Sequence, residues 1–158
     1  MGVSTDGIIC FGIALEEGTE LPWEDEKYDG EIEEWWREIT GFKDEWNPWT
    51  EDGEYRDGID HNDPRFEKYY EDRRDWLKTH PIPVVPVNCC SHDYLMWILA
   101  VPGTVLRCAR GYPSEFDPFT TLKATPSQAA DLLIFCREYG IELEDGAYPK
   151  WYLASYWG

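Results

Sequence analysis

Carboxylates dominate the chemistry this chain can offer. Residues 16–75 carry 23 Asp and Glu against 8 Lys and Arg, a balance of −15 within a total of −18. Paired carboxylates serve glycosidases and hard-cation sites, but with so many present no pair is singled out. The turn-rich loop marked by Asn47-Pro48, Asp52-Gly53 and Asp57-Gly58 superficially suggests a calcium site. It departs from the EF-hand pattern, because Glu54 and Arg56 stand where short oxygen ligands are required. His61, His80 and His92 are the only histidines. Cys89, Cys90 and His92 would supply three zinc ligands only if the backbone turned sharply, since neighbours on a strand point to opposite faces. The adjacency of Ser91, His92 and Asp93 carries no weight, because catalytic groups converge in space rather than in sequence. There is no glycine-rich phosphate loop and no nucleophile elbow. Neither a metal nor another cofactor is expected, and no catalytic residue is assigned.

The more specific signal is a surface. A helix over about 30–40 would place Glu31, Glu34 and Glu38 along one side, with Trp35 and Trp36 on its apolar face. A second helix, opened by Asp63-Pro64 and running to about Thr79, would carry Glu67, Glu71 and Asp75 at a spacing of four, a rise of about 6 Å per step. That step is close to a phosphate interval. Arg74 and Lys78 fall near the same row and can pair with Glu71 and Asp75, so a solvated helix laced with its own ion pairs is the competing reading. Trp23, Trp35, Trp36, Trp46 and Trp49 cluster in the same block. They either fill a second small core or, where exposed, anchor an interface.

The bulk numbers set limits on the classes available. The chain has 158 residues, enough for one domain with a substantial core. Aromatics at 16% argue against a disordered acidic chain. A charge of −18 opposes direct contact with nucleic acid or anionic membrane and favours basic partners; solubility alone is the bland alternative. Five cysteines, an odd number without a CxxC pair, point to free thiols in a reducing cytoplasm. The N-terminal residues lack a basic region of the signal-peptide kind, and no apolar run reaches 18 residues.

The elements that would position these residues can be taken in order. Residues 7–15 read as a buried strand in which Gly12 marks a bulge or a close backbone approach. The two acidic helices follow, with Asp29 capping the first and Asp63 the second. Residues 82–87 are proline-punctuated and suit an edge strand. Residues 94–101 and 104–109 read as a hairpin pair turning at Pro102-Gly103; Ser91 capping a buried helix over 94–101 is the alternative. A loop occupies about 111–124. Thr125, Pro126 and Gln128 then form a capping box ahead of a helix whose stripe is Ala129, Leu132, Leu133, Cys136 and Tyr139, flanked by Phe135 and stopped by Gly140. Residues 151–157 close the chain as a strand. Strands that cluster without regular helix alternation imply an α+β fold. The expected form is a mostly antiparallel sheet, packed by that helix, in one domain over 1–158 with an acidic, tryptophan-rich insertion at 16–80.

The flanks carry a resemblance. Ser4-Thr5-Asp6-Gly7 running into Ile8-Ile9-Cys10-Phe11-Gly12 resembles a set of small, uncharacterised tailed-phage proteins. So do Asp93-Tyr94, the run Ile98-Leu99-Ala100-Val101-Pro102-Gly103-Thr104-Val105, the segment Arg110-Gly111-Tyr112-Pro113, residues 133–140, and the terminal Ser155-Tyr156-Trp157-Gly158. The resemblance covers the flanks and not the acidic block. It implies a phage or prophage origin and transfers no activity.

Two classes of function follow. The first is a non-enzymatic inhibitor or accessory protein of the anti-CRISPR or anti-restriction type, acting in the host cytoplasm. It would bind a basic host protein or nucleoprotein complex through a phosphate-mimicking surface made by Glu31, Glu34, Trp35, Trp36, Glu38, Glu67, Glu71 and Asp75. The second is a small carboxylate- or metal-dependent hydrolase; a virion or assembly accessory protein stands beside them. A contiguous acidic face favours the first, and a deep cleft with convergent histidine and carboxylates favours the second.

Overall fold

A computed structural model describes residues 5–50, 54–56, 58–60, 62–90 and 96–157. The chain divides into two compact units, one made of Met1–Pro22 with Pro83–Gly158 and the other of Trp23–Ile82. The fold is α+β, with a five-stranded antiparallel sheet.

The first unit is built on β1 (Thr5–Ala14). Along one edge it pairs with β5 (Lys150–Trp157), from Thr5 opposite Trp157 to Gly12 opposite Lys150. Along its other edge lie β4 (Leu106–Cys108), against Gly7 to Ile9, and β3 (Trp97–Ala100), against Gly12 to Ala14. Among the described residues the outer strand β2 (Val85–Asn88) pairs only with β3, which gives Pro86 the edge position its missing N–H requires. Alternation along these strands buries Ile8, Cys10, Val87, Ile98 and Ala100 together on one face. Ile13 and Leu99, opposite one another, are buried on the other face.

The expected hairpin at Pro102-Gly103 is not formed. Thr104 N–H does bond to Val101 O at 3.2 Å and Gly103 has φ 79°, so the four-residue turn exists. The Pro-Gly order with positive φ at the glycine is that of a type II turn, whose twist splays flanking strands, whereas tight hairpins use the mirror types. The chain therefore loops out and continues in the same direction, and β3 and β4 both lie on β1. The buried Thr104 seals the gap. Its hydroxyl donates to Val101 O at 2.7 Å and accepts from Phe11 N–H at 3.2 Å, while Val101 N–H donates to Phe11 O at 2.8 Å.

Two helices follow β4 in this unit. The expected loop at 111–124 contains a short helix, α3 (Pro118–Thr121), capped by the Asp117 side chain on Phe119 N–H; Asp117-Pro118 is the same cap-then-proline signal as Thr125-Pro126. The longer helix, α4 (Pro126–Glu138), has both halves of the capping box at Thr125 and Gln128, and Gly140 follows it at φ 69°. Its buried residues are Leu132, Phe135 and Cys136, so the core-facing stripe is centred on Phe135, and Leu133 is only half-buried. The first turn of α4 borders a concavity whose other wall includes Phe11 and Trp151 of the sheet.

The second unit holds a 3-10 turn (Glu26–Tyr28), α1 (Ile32–Ile39) and α2 (Arg65–Thr79). Contrary to the expectation from the sequence, Asp29 does not cap α1. It closes the 3-10 turn in a left-handed conformation, φ 49°, the only positive φ of a non-glycine among the described residues. Gly30 follows at φ 76°, and the two left-handed residues delay the helix to Ile32, with Glu31 at its N-cap. The N-cap of α2 is Pro64 and not Asp63 as expected, and no side chain caps the helix; Asp63 stands one residue earlier and bonds to Arg65 instead. Its carboxylate accepts from Arg65 N–H at 2.9 Å and pairs with the Arg65 guanidinium, which holds its carboxyl down at about 2.

Candidate functional site

Rings form the frame of the second unit. Trp23 and Trp35 are buried 5.3 Å apart, and Trp36 lies 5.9 Å from Trp35. Phe66 is the hub of the other cluster, with Trp46 at 5.4 Å, Tyr55 at 5.6 Å and Tyr70 at 6.1 Å. Trp49 stacks on Tyr55 at 4.5 Å. All five clustered tryptophans thus contribute to packing. Trp35 cannot serve as an exposed anchor, because it is 4% exposed. Trp36 is half-buried and its indole N–H is committed to His80 O at 2.8 Å. Where polar tips find partners inside, aromatic residues read as core.

An ion relay crosses this frame. Arg37, 6% exposed, reaches Glu33 at 3.3 Å and Glu34 at 2.6 Å. Arg73 of α2 contacts the second oxygen of Glu34, the Tyr69 hydroxyl, and Asp44 at 3.2 Å. Burial pushes the Asp44 carboxyl above its ordinary value of 3.8 despite the guanidinium beside it, and burial likewise raises the Tyr69 phenol. Glu34, expected to face a partner, is therefore the link that joins α1 to α2. Glu38 pairs with Lys27 and Asp75 with Lys78. These three expected site residues have their charge matched within the unit.

Glu31, Glu67 and Glu71 differ: each is exposed and has no cationic partner among the described residues. The pairing of Arg74 with Glu71 expected from their spacing is not made. Glu26 and Asp29 join the uncompensated set. With Glu31, Glu34, Glu38 and Asp44 they line an open concavity of ≈ 790 Å³ that Lys27, Arg37 and Arg73 also line, while Glu67 lines a second one of ≈ 470 Å³ that also touches Arg73 and Arg74. The sequence signal for Asp29 was the Asp-Gly pair, which places its carboxylate on a left-handed turn rather than on a helix. The relay's long-range half, Glu34 with Arg73 and Asp44 with Arg73, had no sequence signal.

Arg73→Met tests the relay. It keeps the apolar stem and strips Glu34 and Asp44 of their shared cation. Those side chains are 44% and 23% exposed, so the cost is discounted from that of a fully buried pair to about 1–3 kcal/mol at pH 7. The folded Asp44 carboxyl already titrates above its unfolded value, and losing the cation raises it further. The protonated form needs no partner, so the deficit shrinks as pH falls through that raised value. Urea unfolding of both proteins at pH 7 and pH 4 measures it.

Among the described residues no group of three or more His, Cys, Asp or Glu side chains is arranged to hold a metal ion. Asp52, Gly53, Asp57, His61, Ser91, His92 and Asp93 lie outside the described residues. All five cysteines are free, and burial pushes the Cys10 and Cys136 thiols up to about 11, leaving them small hydrophobes at neutral pH. Among the described residues no helix is long and apolar enough to cross a membrane. Comparison with protein-family models, with curated proteins and with solved structures finds no match for this chain.

Proposed function

We propose that this protein is a non-enzymatic inhibitor that occupies the phosphate-binding groove of a basic, nucleic-acid-handling host protein, in the manner of anti-CRISPR or anti-restriction proteins. The observation that carries the reading is the uncompensated set Glu26, Asp29, Glu31, Glu67 and Glu71, held on a unit whose rings and ion relay are already ordered. Carboxylates carried on an ordered backbone compete with DNA because little chain entropy is lost on docking, and opposite charge speeds the encounter. The phage resemblance of the flanks supplies the setting, a protein made in the host cytoplasm during infection.

The test is displacement. A labelled duplex is bound to purified restriction nucleases and CRISPR effectors, and its anisotropy is followed as this protein is added across a salt series. The expected result is release of DNA from at least one of these enzymes, with an inhibition constant that weakens steeply as salt rises. Retention of DNA by every enzyme at low salt would overturn the reading.

A further inference from the structure

The strand β5 is a sheet edge with an unusual composition. Among the described residues it pairs with one strand, β1. None of its eight residues is acidic in a chain with 32 Asp and Glu, and Lys150 is its only charge. Natural edges are normally blunted by charge, proline or a bulge, and beyond Lys150 this one has none of them. Leu153 is 82% and Trp157 57% exposed.

The direction of its free hydrogen bonds is also set. Trp157 N–H points away from β1, since it donates to Cys90 O at 2.8 Å. Backbone groups alternate along a strand, so those of Trp151, Leu153 and Ser155 point outward as well. They have no backbone partner on that side among the described residues. The edge therefore presents a short row of donors and acceptors to whatever lies beside it.

The sequence of this edge reads nearly the same in both directions: Trp151, Tyr152, Leu153, Ala154, Ser155, Tyr156, Trp157. A two-fold axis places each residue of an interface opposite its symmetry counterpart. Antiparallel pairing of two copies about Ala154 sets Trp151 opposite Trp157, Tyr152 opposite Tyr156 and Leu153 opposite Ser155. Like rings then face each other across the strands, the kind of pair that stabilises a ladder. In this register Leu153 and Ser155 exchange backbone bonds, and the ladder ends there, because Cys90 O already occupies the outward side of Trp157.

We infer that β5 is a self-recognition edge, and that its partner is the β5 of a second copy, joining two five-stranded sheets into one. The pairing is independent of the phosphate-mimic reading, and its salt dependence has the opposite sign. Two chains of −18 repel, so added salt strengthens the dimer, whereas it weakens docking on a basic groove.

Sedimentation equilibrium of the full chain from about 1 µM to about 500 µM tests this, since a single strand pairing gives a small, micromolar-class interface. The expected result is a reversible monomer–dimer equilibrium that tightens at least several-fold between low and high salt. Leu153→Lys puts a charge on an exposed edge position and should leave only monomer, with an unchanged circular dichroism spectrum. Ser155→Lys is the second variant, so the test stands if either one folds. The double variant Leu153→Cys, Ser155→Cys should form an intermolecular 153–155 disulfide under mild oxidation, which fixes the register. A monomer throughout the concentration range, or a dimer that persists in a folded Lys variant, would overturn the inference. Binding of an extended peptide along β5 of a protein that stays monomeric would count against a second copy as the occupant.

Discussion

Gly12→Ala should yield no folded first unit. A Cβ at Gly12 would stand 2.2 Å from Leu99 O and 2.8 Å from the Ala100 Cα, both backbone atoms of the strand alongside. Backbone cannot step aside as the end of a flexible side chain can, so β3 would have to leave β1. That loss exceeds about 4 kcal/mol, a large share of the 5–15 kcal/mol that holds a domain together. Gly7→Ala is the matched control, because its Cβ would meet Cys108 at an ordinary 3.9 Å. Urea unfolding should place Gly7→Ala near the parent protein, while Gly12→Ala lacks the cooperative transition of the sheet. A stable Gly12→Ala would mean that β1 and β3 are not in this register.

Reversing Glu31, Glu67 and Glu71 to Lys should weaken DNA displacement about 100-fold, since three attractions become repulsions. The structure selects these three from the expected six because their charge has no match among the described residues, whereas Glu34, Glu38 and Asp75 have internal cations. Reversal of Glu34 would break the α1–α2 link and confuse binding with folding. The three exposed sites add little to stability, so the variant should melt close to the parent. A folded triple variant that still displaces DNA at the original concentration would place the docking surface elsewhere on the molecule.

What could be read from the sequence was what is decided within a few residues. The capping box at Thr125 and Gln128, the Gly140 stop and the close approach at Gly12 are all local signals, and each is found where it was expected. The Pro102-Gly103 turn was legible, but its strand partner was not, because choosing between a hairpin and a looped-out continuation depends on what β1 offers to both strands. Trp35 illustrates the same limit. A tryptophan beside carboxylates looks like an anchor until Trp23, twelve positions earlier, is found against it. Of the acidic surface, the excess of charge was visible. Which carboxylates were already matched depended on Arg37 and Arg73, and Arg73 reaches Glu34 from 39 positions away.

The pairing of β1 with β5 has a consequence for the order in which the protein is made. β1 finds its longest partner only after everything between them has been synthesised, since Thr5 lies opposite Trp157. Contacts so distant are slow to form, because the loop between them must close before they reward it. The unit formed by Trp23–Ile82 has both of its helices and all of its ring clusters within a continuous stretch. It can therefore be complete while the sheet still waits for its last strand. Truncation before Lys150 would leave β1 without that neighbour yet spare every residue of the acidic unit. Nascent chains stalled at increasing lengths should accordingly gain protease resistance in two steps, first across the acidic unit and then, only once β5 has emerged, across the sheet.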